Sequence, residues 1–518
     1  MLPRTDTSSG LDLSTFPSTD RMLARIAYLS GLGHRKTGTP QGRQSAEYIA
    51  DAFRGAGLSP VTIERAPTPC PTVHTQSLAF DGRSIECFWV NGTGRQAPLG
   101  RFRSEIAAGT EIVYLGAGWE SDFDQVDVAG KVVVCDIYFH PSLTSTFLDI
   151  NPRAEFFDPD GSLFEPRNKF DIYAPNNWPN NYFKAQQRGA AGFVGALQNY
   201  MDCYNYNEDY TDNGKALGVD GMEIPAVWVS RSDGAEMART IDAAVSFSDL
   251  SLTVDVEYEM KDALNVVGVL PGLSAETILV HSHHDAVFAG AVQDASGIAE
   301  VIALAEFFGG LPIEHRGKTM MFAATDTHFT DYVGHEAFLG ARERAGDDIV
   351  LDLCIEHIGK EVELTQDNHA VETGLVEPRI VYVADESGLL EVVKEAFAKH
   401  RLSRTIFAPV SVPPEGAAVE PYEFRPDEVM TDAYAFAEAG IPVVSLIGCQ
   451  MYLFHPSDTI ERIAVDQLRP IGMAFAEIAA AAHALGPQEA RDPRARTSPA
   501  TTGTHHPPTL THPEGGQS

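Results

Sequence analysis

No stretch of the sequence approaches the roughly 18 consecutive apolar residues that a membrane-spanning helix needs. The opening MLPRTDTSSGLDLSTF has no apolar core of secretory-signal length. Together these predict a cytoplasmic protein with no membrane partner. Basic residues are scarce, 38 Lys and Arg against 72 Asp and Glu, for a net charge of −34. Such a surface repels phosphate backbones and anionic lipid, which excludes nucleic acid as the expected partner. Cysteines number six (Cys70, Cys87, Cys135, Cys203, Cys354, Cys449), scattered and without a C-x-x-C pair. In a long cytoplasmic chain that pattern reads as free thiols rather than a disulfide framework. No fixed period recurs, so repeat architectures are excluded. What the chain does have is length and apolar content. Its 518 residues, 44% of them hydrophobic, suffice for about three domains with sizeable cores.

Three regions differ in pattern. Residues 20–60 read as two helices, MLARIAYLSGL and GRQSAEYIADAFRGAGL, joined by the turn-rich HRKTGTPQG. Residues 70–255 hold short β-like runs (EIVYLG, KVVVCDIYF, GFVGAL, IPAVWV). Between them lie aromatic, Asn- and Pro-rich stretches at 139–183 and 199–214. These are either packed covers or binding walls, with Trp178, Tyr182 and Tyr452 as candidate wall residues. Residues 262–485 alternate near-continuous apolar strands with amphipathic helices, which predicts an α/β domain with a mostly parallel central sheet flanked by helices. From Pro487 the composition predicts a disordered tail.

The segment ILVHSHHDAVFAGAVQDASGIAEV carries the strongest chemical signal. A buried-type strand ends in His281, His283, His284 and Asp285, and a helix opens near Asp294. Ligands of open α/β sheets bind at the carboxyl ends of strands. In His283-x-Asp285 one residue can ligate a metal while the other orients it. The alternative is a set of merely solvated histidines. Three further strand ends are polar: Asp326-Thr327-His328, Glu356-His357, and His455-Pro456-Ser457-Asp458. Two histidines with a carboxylate suit Zn²⁺ or Fe²⁺.

In order along the chain, HRKTGTPQGRQSAEYIADAFRGAGL, VDVAGKVVVCD, KAQQRGAAGFVGAL, IPAVWVSRSDG, NVVGVLPG, HHD, GAVQDASG, RGKTMMFAAT, VGHEAFL, DAYAFAEAGIP and FHPSDT resemble the zinc aminopeptidases of metallopeptidase family 28 that carry an inserted protease-associated domain. The resemblance runs from about Ile26 to Leu485. It implies an N-terminal extension at 1–19, a metallopeptidase-like α/β domain from 20–69 and 256–485, a β-rich protease-associated insert at 70–255, and a tail at 486–518. It also implies His283, Glu356 and His455 as metal ligands, and Asp285 behind His283 as part of the catalytic machinery. Asp458 and Tyr452 are supporting or substrate-facing residues.

The sequence departs from the family at two places. The metal-bridging Asp is replaced by Gln293, with Asp294 one residue off, and the Glu-Glu pair by His328-Phe329. A neutral amide cannot offset the repulsion of two dications, and a Phe cannot ligate. The expectation is therefore a metal-dependent hydrolase of a peptide-like or small amide substrate with a rebuilt, mononuclear site. One divalent metal is implied, Zn first, with Fe, Mn or Co as alternatives. His328 would act as catalytic base or as a further ligand. Two alternatives stand beside it: a non-hydrolytic mononuclear metal enzyme, with iron, or an inactive peptidase-like binding protein. The partner is a small molecule or peptide, and a homo-oligomer is compatible with the sequence.

Overall fold

The computed structural model describes residues 11–95, 99–142, 144, 147, 151–207, 221–244, 246–384, 388–411 and 428–484. The expected tail at 486–518, the first ten residues and part of the aromatic stretch at 199–214 lie outside the described residues. The two N-terminal helices form as their patterns require. Thr19–Gly31 is capped by Ser18, and Pro40–Gly55 is capped by Thr39 with Pro at its first turn. Each buries one apolar stripe, Met22, Ile26 and Leu29 in the first and Ala46, Ile49 and Phe53 in the second.

A large sheet forms the frame. Its order is Arg83–Ile85, Val61–Phe80, Leu250–Leu270, Lys318–Thr325, Ser274–His283, Ile349–Ile355, Val443–Gly448, Arg379–Ala384, Thr405–Val410 and Glu155–Phe157, with Arg101–Ile106 also on Leu250–Leu270. Four of its pairings are parallel and six antiparallel. Across the whole sheet the pairing is mixed; the strands of 262–485 pair with one another four times in parallel and twice antiparallel, and the other antiparallel pairings bring in strands from 61–157. Burial on both faces makes a strand read as a continuous apolar run, and that signal carries no strand direction. The parallel block is nevertheless where the polar strand ends lie. Ser274–His283 sits between Lys318–Thr325 and Ile349–Ile355, and Val443–Gly448 follows in parallel. Gly297–Gly309, which makes the crossover between two of these strands, is buried along almost its whole length.

A second sheet, Phe88–Trp89, Ala226–Ser230, Gly192–Leu197, Val132–Ile137 and Ile112–Tyr114, lies wholly within 70–255. Yet the two regions do not have separate sheets, as the composition shift had suggested. Val61–Phe80 and Leu250–Leu270 pair from Val61 with Gly268 to Phe80 with Leu250, across both expected boundaries. Glu155–Phe157 joins the far edge of the large sheet. Composition changes along these two strands while their hydrogen-bond ladder continues, slipping register only between Val73 and Thr75. Among the described residues no helix is long and apolar enough to cross a membrane.

Candidate metal centre

His283 ends its strand opposite Thr325, and Glu356 and His357 follow directly on Ile349–Ile355. All three side chains are buried. His283 Nδ1 lies 3.0 Å from the backbone oxygen of Asp285. A carbonyl only accepts, so Nδ1 carries the proton and the ring's lone pair is on Nε2. His357 repeats the arrangement, with Nδ1 at 3.0 Å from Gly448 O. Glu356 Oε1 accepts from the Asp432 amide at 3.0 Å and from Cys354 Sγ at 3.0 Å. The three remaining atoms, His283 Nε2, Glu356 Oε2 and His357 Nε2, are buried without a hydrogen-bond partner. His357 Nε2 is 3.9 Å from Glu356 Oε2. The three residues form a group whose donor atoms all lie within 4.8 Å of one another.

Left bare, this cluster would be costly. An unsatisfied buried polar atom costs about 1–3 kcal/mol. Burial, helped by the carboxylates of Asp432 and Asp294, pushes the Glu356 carboxyl well above its ordinary range. Burial pushes His357 down to about 3. Two neutral imidazoles and one carboxylate, all presenting lone pairs, fit a divalent cation. The backbone at His357 is in the left-handed region, φ 59°. Conformations of that kind cost of order 1–3 kcal/mol in a non-glycine residue and concentrate at functional sites. Two residues on, a Cβ at Gly359 would meet the Tyr452 hydroxyl at 2.4 Å and Gln450 Nε2 at 2.8 Å, so a larger residue there would displace those side chains.

A second group, His283, His328 and Asp432, also has its donor atoms within 4.8 Å. Two of its members already satisfy each other. His328 Nδ1 is 2.8 Å from Asp432 Oδ1, and Asp432 Oδ2 is 2.8 Å from His335 Nε2. The rings of His328 and His283 stack, 4.0 Å between centroids and 9° between planes. Burial lowers the His328 pKa, but Asp432, Asp285 and Glu356 outweigh it and lift it to about 9. His328 Nε2 is 3.1 Å from Gln293 Nε2. Turning the Gln293 amide over would bring Oε1, which otherwise lacks a partner, to His328 Nε2.

The other expected site residues are held in supporting roles. Asp285 accepts from the amides of His328 at 3.2 Å and Phe329 at 3.1 Å, clamping the loop that carries both. Asp294 is taken up by Ser282 Oγ and by the amides of Gly297 and His357, each at 3.1 Å from its Oδ1. It belongs to neither group of clustered donor atoms. Asp458 accepts from the amides of Val292 at 2.7 Å and Gln293 at 3.0 Å. Phe329 packs edge-on to His328 and His283, with centroids 4.9 and 6.0 Å away. Tyr452 is fully buried and donates to Lys360 O at 2.8 Å. Trp178 and Tyr182 pack with Phe193, and Trp178 also packs with Trp228. They are packed covers here rather than cavity walls.

His455 is the expected ligand that the structure keeps out of both groups. Its Nδ1 accepts from the Ser457 amide at 2.9 Å, which leaves the proton on Nε2. A ring in that tautomer has no lone pair on Nε2 to give a metal. His357 and Asp432 are the two cluster members that sequence reasoning left unassigned. Glu356-His357 was visible as a polar strand end, and Asp432 as the residue before Ala433 in DAYAFAEAGIP.

No protein-family model matches the sequence, and no curated protein does. Solved structures do match over nearly the whole chain. The aminopeptidase from Aneurinibacillus sp. strain AM-1 aligns over 96% of this chain and 99% of its own, at 17% identity and a TM-score of 0.54. BSAP, a zinc aminopeptidase from Bacillus subtilis, aligns over 91% and 96%, at 16% identity and a TM-score of 0.58. A peptidase M28 precursor from Shewanella amazonensis SB2B aligns over 90% and 97%, at 15% identity and a TM-score of 0.57. The chain therefore has the fold of zinc aminopeptidases and M28 peptidases. At these identities the likeness speaks to the fold, and the function has to be argued from the site.

Proposed function

We propose that this protein is a metal-dependent hydrolase of a peptide-like or small amide substrate, with one divalent metal, Zn first, held by His283, Glu356 and His357. The observation that carries the reading is the trio of buried, unpartnered ligand atoms on those residues. Two histidines and a glutamate are a ligand set of catalytic zinc sites that keep an open position. When bound, the metal supplies Lewis acidity toward an amide carbonyl and acidifies water. The chain's own residues do the rest. Asp285 fixes the His328-Phe329 loop, and the Asp285 and Gly448 carbonyls fix the two imidazole tautomers. His328, anchored on Asp432, is the group set to handle a proton, and its side chain keeps 11% exposure. Phe329 excludes water beside it. The zinc-aminopeptidase fold supports the reaction class. Gln293 and Phe329 support a single metal, because neither brings a charge to a second. We read 70–255 as a protease-associated insert on the same grounds of family order.

The test is metal content and hydrolysis together. Protein loaded with Zn²⁺, Mn²⁺, Co²⁺ or Fe²⁺ is assayed on a panel of peptides and acyl amides. Amide hydrolysis that disappears in His283→Ala and His357→Ala supports the reading. A second reading has one specific support: two histidines and a carboxylate also form the iron site of non-haem oxygenases. Loading with Fe²⁺ with and without oxygen separates the two, since only the second reading expects oxygen-dependent turnover.

A further inference from the structure

We propose that a cavity at the carboxyl edge of the second sheet is a separate binding site for a small organic anion, a carboxylate or phosphate ester, with Arg231 as its principal cation. The proposal stands apart from the metal centre and does not depend on the hydrolase reading.

The first ground is where the cavity lies. Val132–Ile137, Gly192–Leu197 and Ala226–Ser230 are neighbours in the second sheet and run parallel. Tyr138 and Phe139 follow directly on the first strand, Gln198 and Asn199 on the second, and Arg231 on the third. All five residues line one cavity of about 530 Å³. A volume of that order suits a small molecule. In open α/β sheets, ligands bind just beyond the carboxyl ends of the strands. The rest of the wall comes mainly from 167–170 and 364–368.

The second ground is charge. Three of the fifteen lining residues are cations, Arg167, Lys169 and Arg231, and none is Asp or Glu. The whole chain has 72 acidic residues to 38 basic ones, so the cavity reverses the balance of the molecule. Lys169 and Arg167 are already paired. Lys169 meets Glu377, and Arg167 reaches Glu361 at 3.2 Å and Glu165 at 2.7 Å. Glu361 also takes Arg404 at 2.6 Å, so one buried carboxylate is divided between two guanidinium groups. Arg231 is different. It opens the helix Arg231–Ala243, and its side chain has no hydrogen bond or ion pair among the described residues. Neutral donors complete the lining. Asn168, Asn199 and Asn368 each give one amide proton to a backbone oxygen, of Leu364, Phe139 and Gln198, which leaves each a second proton. An unpaired guanidinium among amide donors matches the oxygens of a carboxylate or phosphate.

The experiment is calorimetry on the full chain with succinate and phenyl phosphate as probes and glycerol as the uncharged control. At least one anion should bind where glycerol does not, and more weakly as ionic strength rises from about 0.02 to about 0.2 M. Arg231→Gln alters an exposed residue and should weaken binding at least about tenfold, the effect of losing a charge-assisted hydrogen bond. Arg231→Lys should keep part of the affinity. His357→Ala should bind the anion as the unaltered chain does. Each Arg231 change is repeated in that variant, where an anion held by the metal does not contribute. The tighter of the two probes names the group as carboxylate or phosphate, and either order supports the site. No binding of either anion, unchanged binding in Arg231→Gln, or binding lost in His357→Ala would overturn the proposal.

Discussion

His357 Nδ1 lies 3.0 Å from the backbone oxygen of Gly448, on the strand beside its own. That contact sets the ring's lone pair on Nε2, 3.9 Å from Glu356 Oε2. Consecutive residues on a strand point to opposite faces. Glu356 and His357 can share one centre because the strand has ended at Ile355 and the backbone turns to φ 59° at His357. His357→Ala should therefore lower metal affinity at least about a hundredfold, more than the usual cost of losing an outer partner. Competition with a chelator of known affinity measures it. A loss of less than about tenfold would remove His357 from the ligand set.

Asp432 ties His328 to His335 through its two oxygens. Taking out the shared acceptor strips the buried His335 Nε2 of its partner and leaves His328 Nδ1 only the Tyr332 hydroxyl at 3.2 Å. Asp432→Ala should cost about 3–5 kcal/mol, the range seen when one member of a buried pair is removed. Denaturant unfolding of the metal-free protein measures this without interference from metal binding.

On the sequence resemblance, Gln293 falls where the family keeps a bridging carboxylate and Phe329 where it keeps a ligating one. Restoring both, as Gln293→Asp with Phe329→Glu, should raise the bound metal from about one to about two per chain, because two carboxylates supply the missing charge. Elemental analysis of the double variant decides it. Phe329 is 8% exposed, so the variant's folding is checked first by circular dichroism.

Far from the centre, His483 Nδ1 accepts from the Lys318 amide at 3.1 Å. Burial, with the charges of Lys318 and Arg316, lowers its pKa to about 4. A histidine depressed on folding contributes stability that is intact above its unfolded pKa of about 6.5 and is lost as pH falls toward the folded value. At pH about 5.5 the loss from this group is about 1.4 kcal/mol. His483→Asn keeps an acceptor for the Lys318 amide and cannot titrate. Its stability difference between pH about 7.5 and 5.5 should shrink by about that amount, read from unfolding midpoints at both values.

The strand-and-helix alternation of 262–485, the two N-terminal helices and the convergence of polar strand ends were legible because each is written in local periodicity. Strand direction was not, since a doubly buried strand looks the same either way. The cluster of unpartnered donor atoms was half legible. His283 and Glu356 follow from strand ends, but choosing His357 over His455 depends on tautomers fixed by Gly448 O and the Ser457 amide. No spacing in the chain announces those contacts. The carboxylate of Asp432 was hidden for a similar reason, because its partners His328 and His335 come from a loop and helix about a hundred residues earlier.

The most direct test of the account is the metal-to-protein ratio of chain purified without chelator, measured beside His357→Ala and His455→Phe. The account predicts about one divalent metal per chain in the unaltered protein and in His455→Phe, and close to none in His357→Ala. A ratio near zero or near two in the unaltered protein would contradict it, as would metal lost from His455→Phe and kept by His357→Ala.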